Sequence, residues 1–215
     1  MTIDFYHGHG SQYSWRVWLA LEAKQVPYQL KVLSFADKDT RKPEFVAINP
    51  RHVVPTIVDE GFALWESVAI LEYLDERFPG APRLYPGDAR SRARLRRLIR
   101  EAEQHIDREG VDPITDELFW KDGAPPDAAK VAQWRGNIAG ELALCEKELR
   151  GDFFDDSGIT ALDLVLYPMV AYLKRITSRK PESKLTEVIP ERIAQWAGRI
   201  EALPYFDKTF PPHWR

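Results

Sequence analysis

From Asn49 to Phe78 the chain reads NPRHVVPTIVDEGFALWESVAILEYLDERF, and this stretch constrains the fold more than any other. Val53-Val54-Pro55-Thr56-Ile57-Val58 is apolar enough for a buried strand. Proline has no amide proton to give to a ladder, so Pro55 confines that point to a strand entry or an edge. Asp59-Glu60-Gly61 supplies turn chemistry, and Phe62-Ala63-Leu64-Trp65 returns as a second strand. Glu66 and Ser67 follow directly, ahead of Val68, Ile70, Leu71, Leu74 and Phe78, whose near-helical spacing predicts a helix opening at the acid and the hydroxyl. A helix start offers N–H groups to an anion. A Val54 whose N–H and C=O are left unpaired beside Pro55 offers an extended peptide the means to add as a strand. The ligand implied is a short peptide carrying a free carboxylate and a free amine. Ser67 taken alone also has a local reading, since serine is a common helix cap.

Upstream, Ile3-Phe5-Tyr6 predicts a short strand and Trp15 to Lys24 a helix. Tyr28, Leu30 and Val32 alternate after Pro27 as a half-buried strand, and the crossover between the two strands implies parallel pairing. The order βαβ then ββα resembles a thioredoxin fold, without the redox CxxC of that fold. Pro79-Gly80-Ala81-Pro82 through Pro86-Gly87 breaks all periodicity and predicts a linker over 79–87. Beyond it the patterns are helical: Leu95, Leu98, Ile99, Ala102 and Ile106 form one stripe and Ile138 to Leu149 another. Thr160-Ala161-Leu162-Asp163 reads as a capping box with Asp in the acidic slot, and a last helix spans about Glu191 to Ala202. Pro204 and Pro211-Pro212 predict an extended tail. The expected architecture is an α/β thioredoxin-like N-terminal domain over 1–78 and an all-α helical C-terminal domain over 88–215.

Composition narrows the class. A chain of 215 residues with 44% hydrophobic content can bury a sizeable core. A formal net charge of −3 gives no global field to draw in nucleic acid or an anionic membrane. Apolar runs fall short of the ~20 residues of a membrane span, and Thr2-Ile3-Asp4-Phe5 does not read as a secretory leader, so a cytoplasmic setting is expected. The lone Cys145 cannot form an internal disulfide and falls on the stripe of Ile138, Leu142 and Leu149, as a packing residue would. Arg90, Arg92, Arg94, Arg96, Arg97 and Arg100 spread around one helix without interleaved aromatics, which reads as a solvated or subunit-facing surface rather than a nucleic-acid site.

The run NPxxxVPxI, a hairpin, then ES and AI ahead of a helix resembles the glutathione-binding half of the cytosolic glutathione transferases, and the order of elements matches that superfamily over nearly the whole chain. The resemblance implies a cis Pro55 and a Val54 backbone that pairs with the cysteinyl unit of glutathione. It implies Ser67 and the helix amides on the γ-glutamyl carboxylate, with Glu66 facing the ammonium group. Ser11-Gln12-Tyr13-Ser14-Trp15-Arg16-Val17 resembles the first-helix signature of the serine-type, zeta- or theta-like classes, in which a serine ahead of an RV step lies against sulfur. That makes Ser11 the residue expected to activate the thiol, with Ser14 as the cap or first turn of the helix. Tyr6, near the place of the tyrosine used by other classes, stays open as an alternative, as do Tyr13 and Ser14.

A thiol at its reference pKa of about 8.5 is mostly protonated at neutral pH. The resemblance implies that one hydroxyl donating to sulfur, helped by the positive end of the first helix, supplies the preference for thiolate. Three departures qualify the resemblance. Tyr13 stands where the zeta signature has cysteine, which puts isomerase or dehalogenase chemistry in doubt. Val53 replaces a polar residue that commonly holds the glycyl end, a carboxylate that falls to Arg41 or Lys42 instead. Arg51-His52 enlarges a loop of smaller residues. His7 and His9 lack a third ligand at metal spacing, so no metal is expected, and Gly8 and Gly10 read as freeing the loop to approach the ligand backbone.

The function implied is a glutathione transferase, and thus an enzyme, that joins the thiolate of glutathione, its co-substrate, to electrophilic small molecules, acting as a homodimer. The glutathione site is expected from Ser11, Lys42, Val54, Pro55, Glu66 and Ser67, and the acceptor site from the helical domain. The alternatives are glutathione-dependent isomerisation or dehalogenation, and a non-catalytic binding protein of the same fold.

Overall fold

The computed structural model describes residues 2–80, 82–121 and 123–214. The chain divides into two compact units, one running through Pro86 and taken up again from Leu203, the other Gly87–Ala202.

In the first unit, β1 (Ile3–His7) leads into α1 (Gln12–Ala23) and β2 (Tyr28–Val32). A 3-10 turn at Asp39–Arg41 and a short α2 (Pro43–Val46) precede β3 (Thr56–Asp59), β4 (Phe62–Trp65) and α3 (Ser67–Arg77). The strands form a mixed sheet in the order β2-β1-β3-β4, β1 parallel to β2 from Ile3↔Tyr28 to His7↔Val32 and antiparallel to β3. This is the expected thioredoxin-like arrangement. Period-two alternation sorts β1: Ile3, Phe5 and His7 are buried, whereas Asp4 and Tyr6 are half-buried. Phe5 packs edge-on against Trp18 of α1, while Tyr6, on the other face, packs against Phe45 of α2.

Asp75 of α3 anchors the segment that follows. Its carboxylate accepts from Lys24 at the C-terminal end of α1, from the Arg83 guanidinium, and from the Leu84 and Tyr85 N–H groups. Burial opposes ionisation there, but these donors prevail and hold the carboxyl below its usual range. Lys24 also donates to the carbonyls of Gly80 and Pro82. The stretch read as a linker is therefore fastened to both α1 and α3 over much of its length.

The second unit is helical, as expected. Asp88 caps α4 (Ala89–Glu101) by accepting from the Ser91 N–H. Leu95, Leu98, Ile99, Ala102 and Ile106 are all buried, as the stripe predicts. The helix continues in wider π-type turns at Ala102–Val111 and Asp116–Trp120, on either side of α5 (Asp112–Thr115). Pro113, which has no N–H for the regular ladder, sits between them. Then come α6 (Ala128–Glu148), α7 (Ala161–Arg179) and α8 (Glu191–Glu201). A Cβ at Gly110 would lie 2.5 Å from Cγ1 of Ile138, so the close packing of the π-type turns against α6 requires glycine there. The Thr160 N–H and hydroxyl both donate to Asp163, which also takes the Phe154 N–H and the Trp196 indole N–H. In the arginine run, Arg94 and Arg97 both bind Glu148, and Arg97 also binds Glu101.

The tail is not extended. After Leu203 it forms α9 (Phe206–Thr209) and a 3-10 turn at Pro212–Trp214, and it belongs to the first unit rather than with the helices before it. The reason is local: Trp15 of α1 donates its indole N–H to Thr209 Oγ1 at 3.1 Å, and Phe206, Phe210 and Trp214 gather around the same ring. Such aromatic burial outweighs an extended course.

Candidate functional site

The turn between β1 and α1 is built around Ser11. Its backbone is extended and its Oγ accepts the Ser14 N–H at 3.2 Å, so Ser11, not Ser14, caps the helix. Ser14 lies in the first turn, buried, with its hydroxyl accepting the Gly8 N–H. Ser11 is held at both ends of its backbone: its N–H donates to Gly8 and its C=O accepts from Trp15. Because Oγ is already an acceptor, the hydroxyl proton remains to be donated, and among the described residues nothing receives it. The first turn of α1 holds no acidic residue, so no carboxylate of that turn offsets the positive end of the helix.

Gly8 brings this turn against the Pro55 loop. A Cβ there would lie 2.5 Å from Phe35 Cζ and 3.0 Å from Val54 Cγ2. The Val54–Pro55 peptide is cis, as the resemblance implies. Among the described residues the Val54 N–H and C=O make no hydrogen bond, and Val54 precedes the first paired residue of β3. Asn49, fully buried, shapes this loop. Its Nδ2 donates to the Val53 carbonyl and to Thr56 Oγ1, both at 2.9 Å, and its Oδ1 accepts the Arg51 N–H. It stands at the head of the NPxxxVPxI run, yet sequence reasoning gave it no role.

At α3, Glu66 occupies the cap position with φ +69° and an exposed side chain that makes no capping bond. Ser67 is the first helical residue, so its hydroxyl is not the cap. It accepts instead from Nη1 of Arg16 at 3.3 Å, and Arg16 is completely buried. Arg16 also lies 5.0 Å over the Tyr13 ring. Thus one α1 side chain couples the start of α3 to the helix that Ser11 opens, and the first turn of α3 again carries no acid. Arg16 was visible in sequence only as half of the RV step.

Lys42 pairs with Asp39 at 2.6 Å and lines a pocket of about 310 Å³ with Tyr6, Leu33, Glu44, Phe45 and Ile48. Tyr6 therefore faces α2 rather than α1, and burial, with Asp4 nearby, raises its hydroxyl pKa, the opposite of what thiol activation asks. His7 Nε2 and His9 Nδ1 are 3.1 Å apart. Burial, then His9, pushes His7 down to about 3, and burial, then His213, lowers His9, so neither supplies a cation near neutral pH. His52, at φ +58°, places Nδ1 3.3 Å from the Thr40 carbonyl. In the helical unit, Cys145 is buried, and burial together with Glu141, Glu101 and Glu148 pushes its thiol up to about 12. Among the described residues no cluster of His, Cys, Asp or Glu has the arrangement of a metal site, and no helix is long and apolar enough to cross a membrane.

A thioredoxin-like sheet followed by an all-helical unit is the fold that the chain shares with solved glutathione transferases. Residues 10–77 match the family model for the glutathione S-transferase N-terminal domain. Among solved structures, the chain is similar to a glutathione S-transferase from the Antarctic clam Laternula elliptica: 28% identity, TM-score 0.82, covering 100% of this chain and 94% of the clam protein. A delta-class glutathione transferase from Nilaparvata lugens shares 25% identity with a TM-score of 0.79, covering 99% of this chain and 95% of its own. Poplar glutathione transferase F1 also shares 25% identity at a TM-score of 0.79, over 97% of this chain and 96% of the poplar protein.

Proposed function

We propose that this protein is a serine-type glutathione transferase that joins the thiolate of glutathione to electrophilic small molecules. The observation that carries this is the Ser11 hydroxyl, which caps α1 as an acceptor and whose own proton meets no acceptor among the described residues. Each pKa unit by which the bound thiol is lowered takes ~1.4 kcal/mol of preference for the anion. A neutral donor at a helix start favours thiolate without an added cation.

Glutathione then adds along the unpaired N–H and C=O of Val54, beside Pro55, through its cysteinyl unit. Its γ-glutamyl carboxylate takes the Ser67 end of α3, where the Arg16 guanidinium adds positive charge, and Glu66 takes its ammonium. Lys42 is assigned the glycyl carboxylate, its ammonium half-exposed and presented beside Asp39. The helical unit supplies the acceptor's selectivity. A homodimer in the cytoplasm completes the proposal.

Two measurements test this together. Calorimetric titration and thermal unfolding with glutathione are expected to show binding, with ligand at ~100 times its Kd adding about 2.7 kcal/mol of stability. A panel of aryl halides, epoxides and enones is expected to yield conjugates. Absence of glutathione binding removes the proposal, and binding without turnover on any electrophile leaves the non-catalytic alternative.

A further inference from the structure

The tail places a side chain against the turn that carries Ser11. Gly10, at φ +88°, lies so close to the His213 imidazole that a Cβ added there would be 2.9 Å from Nε2 and 3.0 Å from Cε1. Few side chains tolerate that backbone conformation, and a Cβ there would push the imidazole away. The tail segment that carries it is itself held in place. Trp214 packs edge-on against Trp15 with centroids 5.5 Å apart, Phe210 does the same at 5.6 Å, and Thr209 accepts the Trp15 indole N–H. Trp15 in turn donates its backbone N–H to the Ser11 carbonyl at 3.0 Å. Lys208 closes the clasp by pairing with Glu22 near the other end of α1. Ser11 is thus braced from two directions, through Gly10 by the imidazole and through Trp15 by the aromatic rings.

We propose that His213 is a positioning residue for the thiol-activating hydroxyl: its imidazole, packed on Gly10, holds the β1–α1 turn where the Ser11 proton points at sulfur. This role rests on Ser11 acting as proposed above. A hydroxyl bond to sulfur is directional, and an ångström of misplacement at a reacting centre costs up to about a hundredfold in rate. The Val54 and Ser67 contacts lie on other elements, so loss of the brace acts on turnover more than on glutathione binding.

The test is a cycle of Ser11→Ala, His213→Ala and the double variant, with His213→Gln as the conservative replacement. The readouts are kcat, KM for glutathione and the pKa of the bound thiol, followed by thiolate absorbance. His213→Ala is expected to lower kcat about tenfold, raise the thiol pKa, and leave KM for glutathione within about twofold. His213→Gln restores much of the loss. In the Ser11→Ala background the same change does nothing further, since it acts through that hydroxyl. Equal losses from His213→Ala in both backgrounds would mean a general structural role and overturn the proposal. So would an unchanged kcat and thiol pKa in His213→Ala while Ser11→Ala is impaired, which leaves the Ser11 role intact. If Ser11→Ala is itself unimpaired, the Ser11 role fails and the His213 role with it.

Discussion

Arg16 and Ser67 meet 3.3 Å apart, the guanidinium wholly buried and the serine nearly so, and this contact joins the first helix to the start of the third. A buried charge keeps its place only when its donors find acceptors. The serine therefore serves the protein as well as any ligand. Ser67→Ala is expected to cost about 1–3 kcal/mol in urea unfolding and to weaken the stabilisation given by glutathione. Unchanged stability would mean that Arg16 is satisfied without this contact.

Thiol activation has a pH signature. If the Ser11 hydroxyl stabilises thiolate more than thiol, its removal raises the thiol pKa, and the acid limb of kcat/KM moves to higher pH. For Ser11→Ala the expected move is about one unit, or ~1.4 kcal/mol. Ser11→Thr keeps a hydroxyl and a cap and tracks the parent, whereas Tyr6→Phe, on the α2 face of the sheet, leaves the profile alone. A shifted profile in Tyr6→Phe and none in Ser11→Ala would reverse the assignment.

The sequence made much of this legible, and the limits are physical. Turn residues, alternation and helical spacing from Asn49 to Phe78 are local properties, and β3, β4 and α3 follow from them. The Ser11 turn was legible as a motif, but not the division of labour between Ser11 and Ser14, because either hydroxyl suits a helix start. Asn49 was in plain view, yet its bridge to Val53 and Thr56 depends on a loop that folds back on itself. The tail was misjudged because prolines argue locally for extension, while Trp15, far away in the chain, decides its course.

Asp163 predicts a pH dependence of stability. Burial pushes its carboxyl up to about 6 despite the donors from Thr160, Trp196 and Phe154. An unfolded aspartate titrates near 3.9, so the folded protein holds the proton longer. The group's contribution is then full below pH ~4 and declines as pH rises through about 6. Asp163→Asn, whose amide hydrogens face donors, is expected to cost about 3 kcal/mol, and its deficit relative to the parent is greater at pH 4.5 than at pH 6.5. Urea unfolding at both values decides, and a deficit that grows with pH contradicts the expectation.

Gly110 permits a specific close approach, so its replacement is a packing experiment. Gly110→Ala drives a methyl into Cγ1 of Ile138 and is expected to destabilise by about 1–3 kcal/mol. Adding Ile138→Ala removes the colliding atom, and the double variant recovers relative to the sum of the single changes. Strict additivity would show that the strain lies in the backbone turn instead.

Glu66 keeps a left-handed backbone that suits glycine, at a cost of order 1–3 kcal/mol. Selection for robustness alone would install glycine there, since the exposed carboxylate makes no capping bond in the fold. If Glu66 takes the ammonium of glutathione as proposed, Glu66→Gly makes the trade-off between durability and binding measurable at one position, as a chain that melts later and holds glutathione less well. Screens that reward heat tolerance alone would be drawn to this residue and would discard the proposed contact in the process.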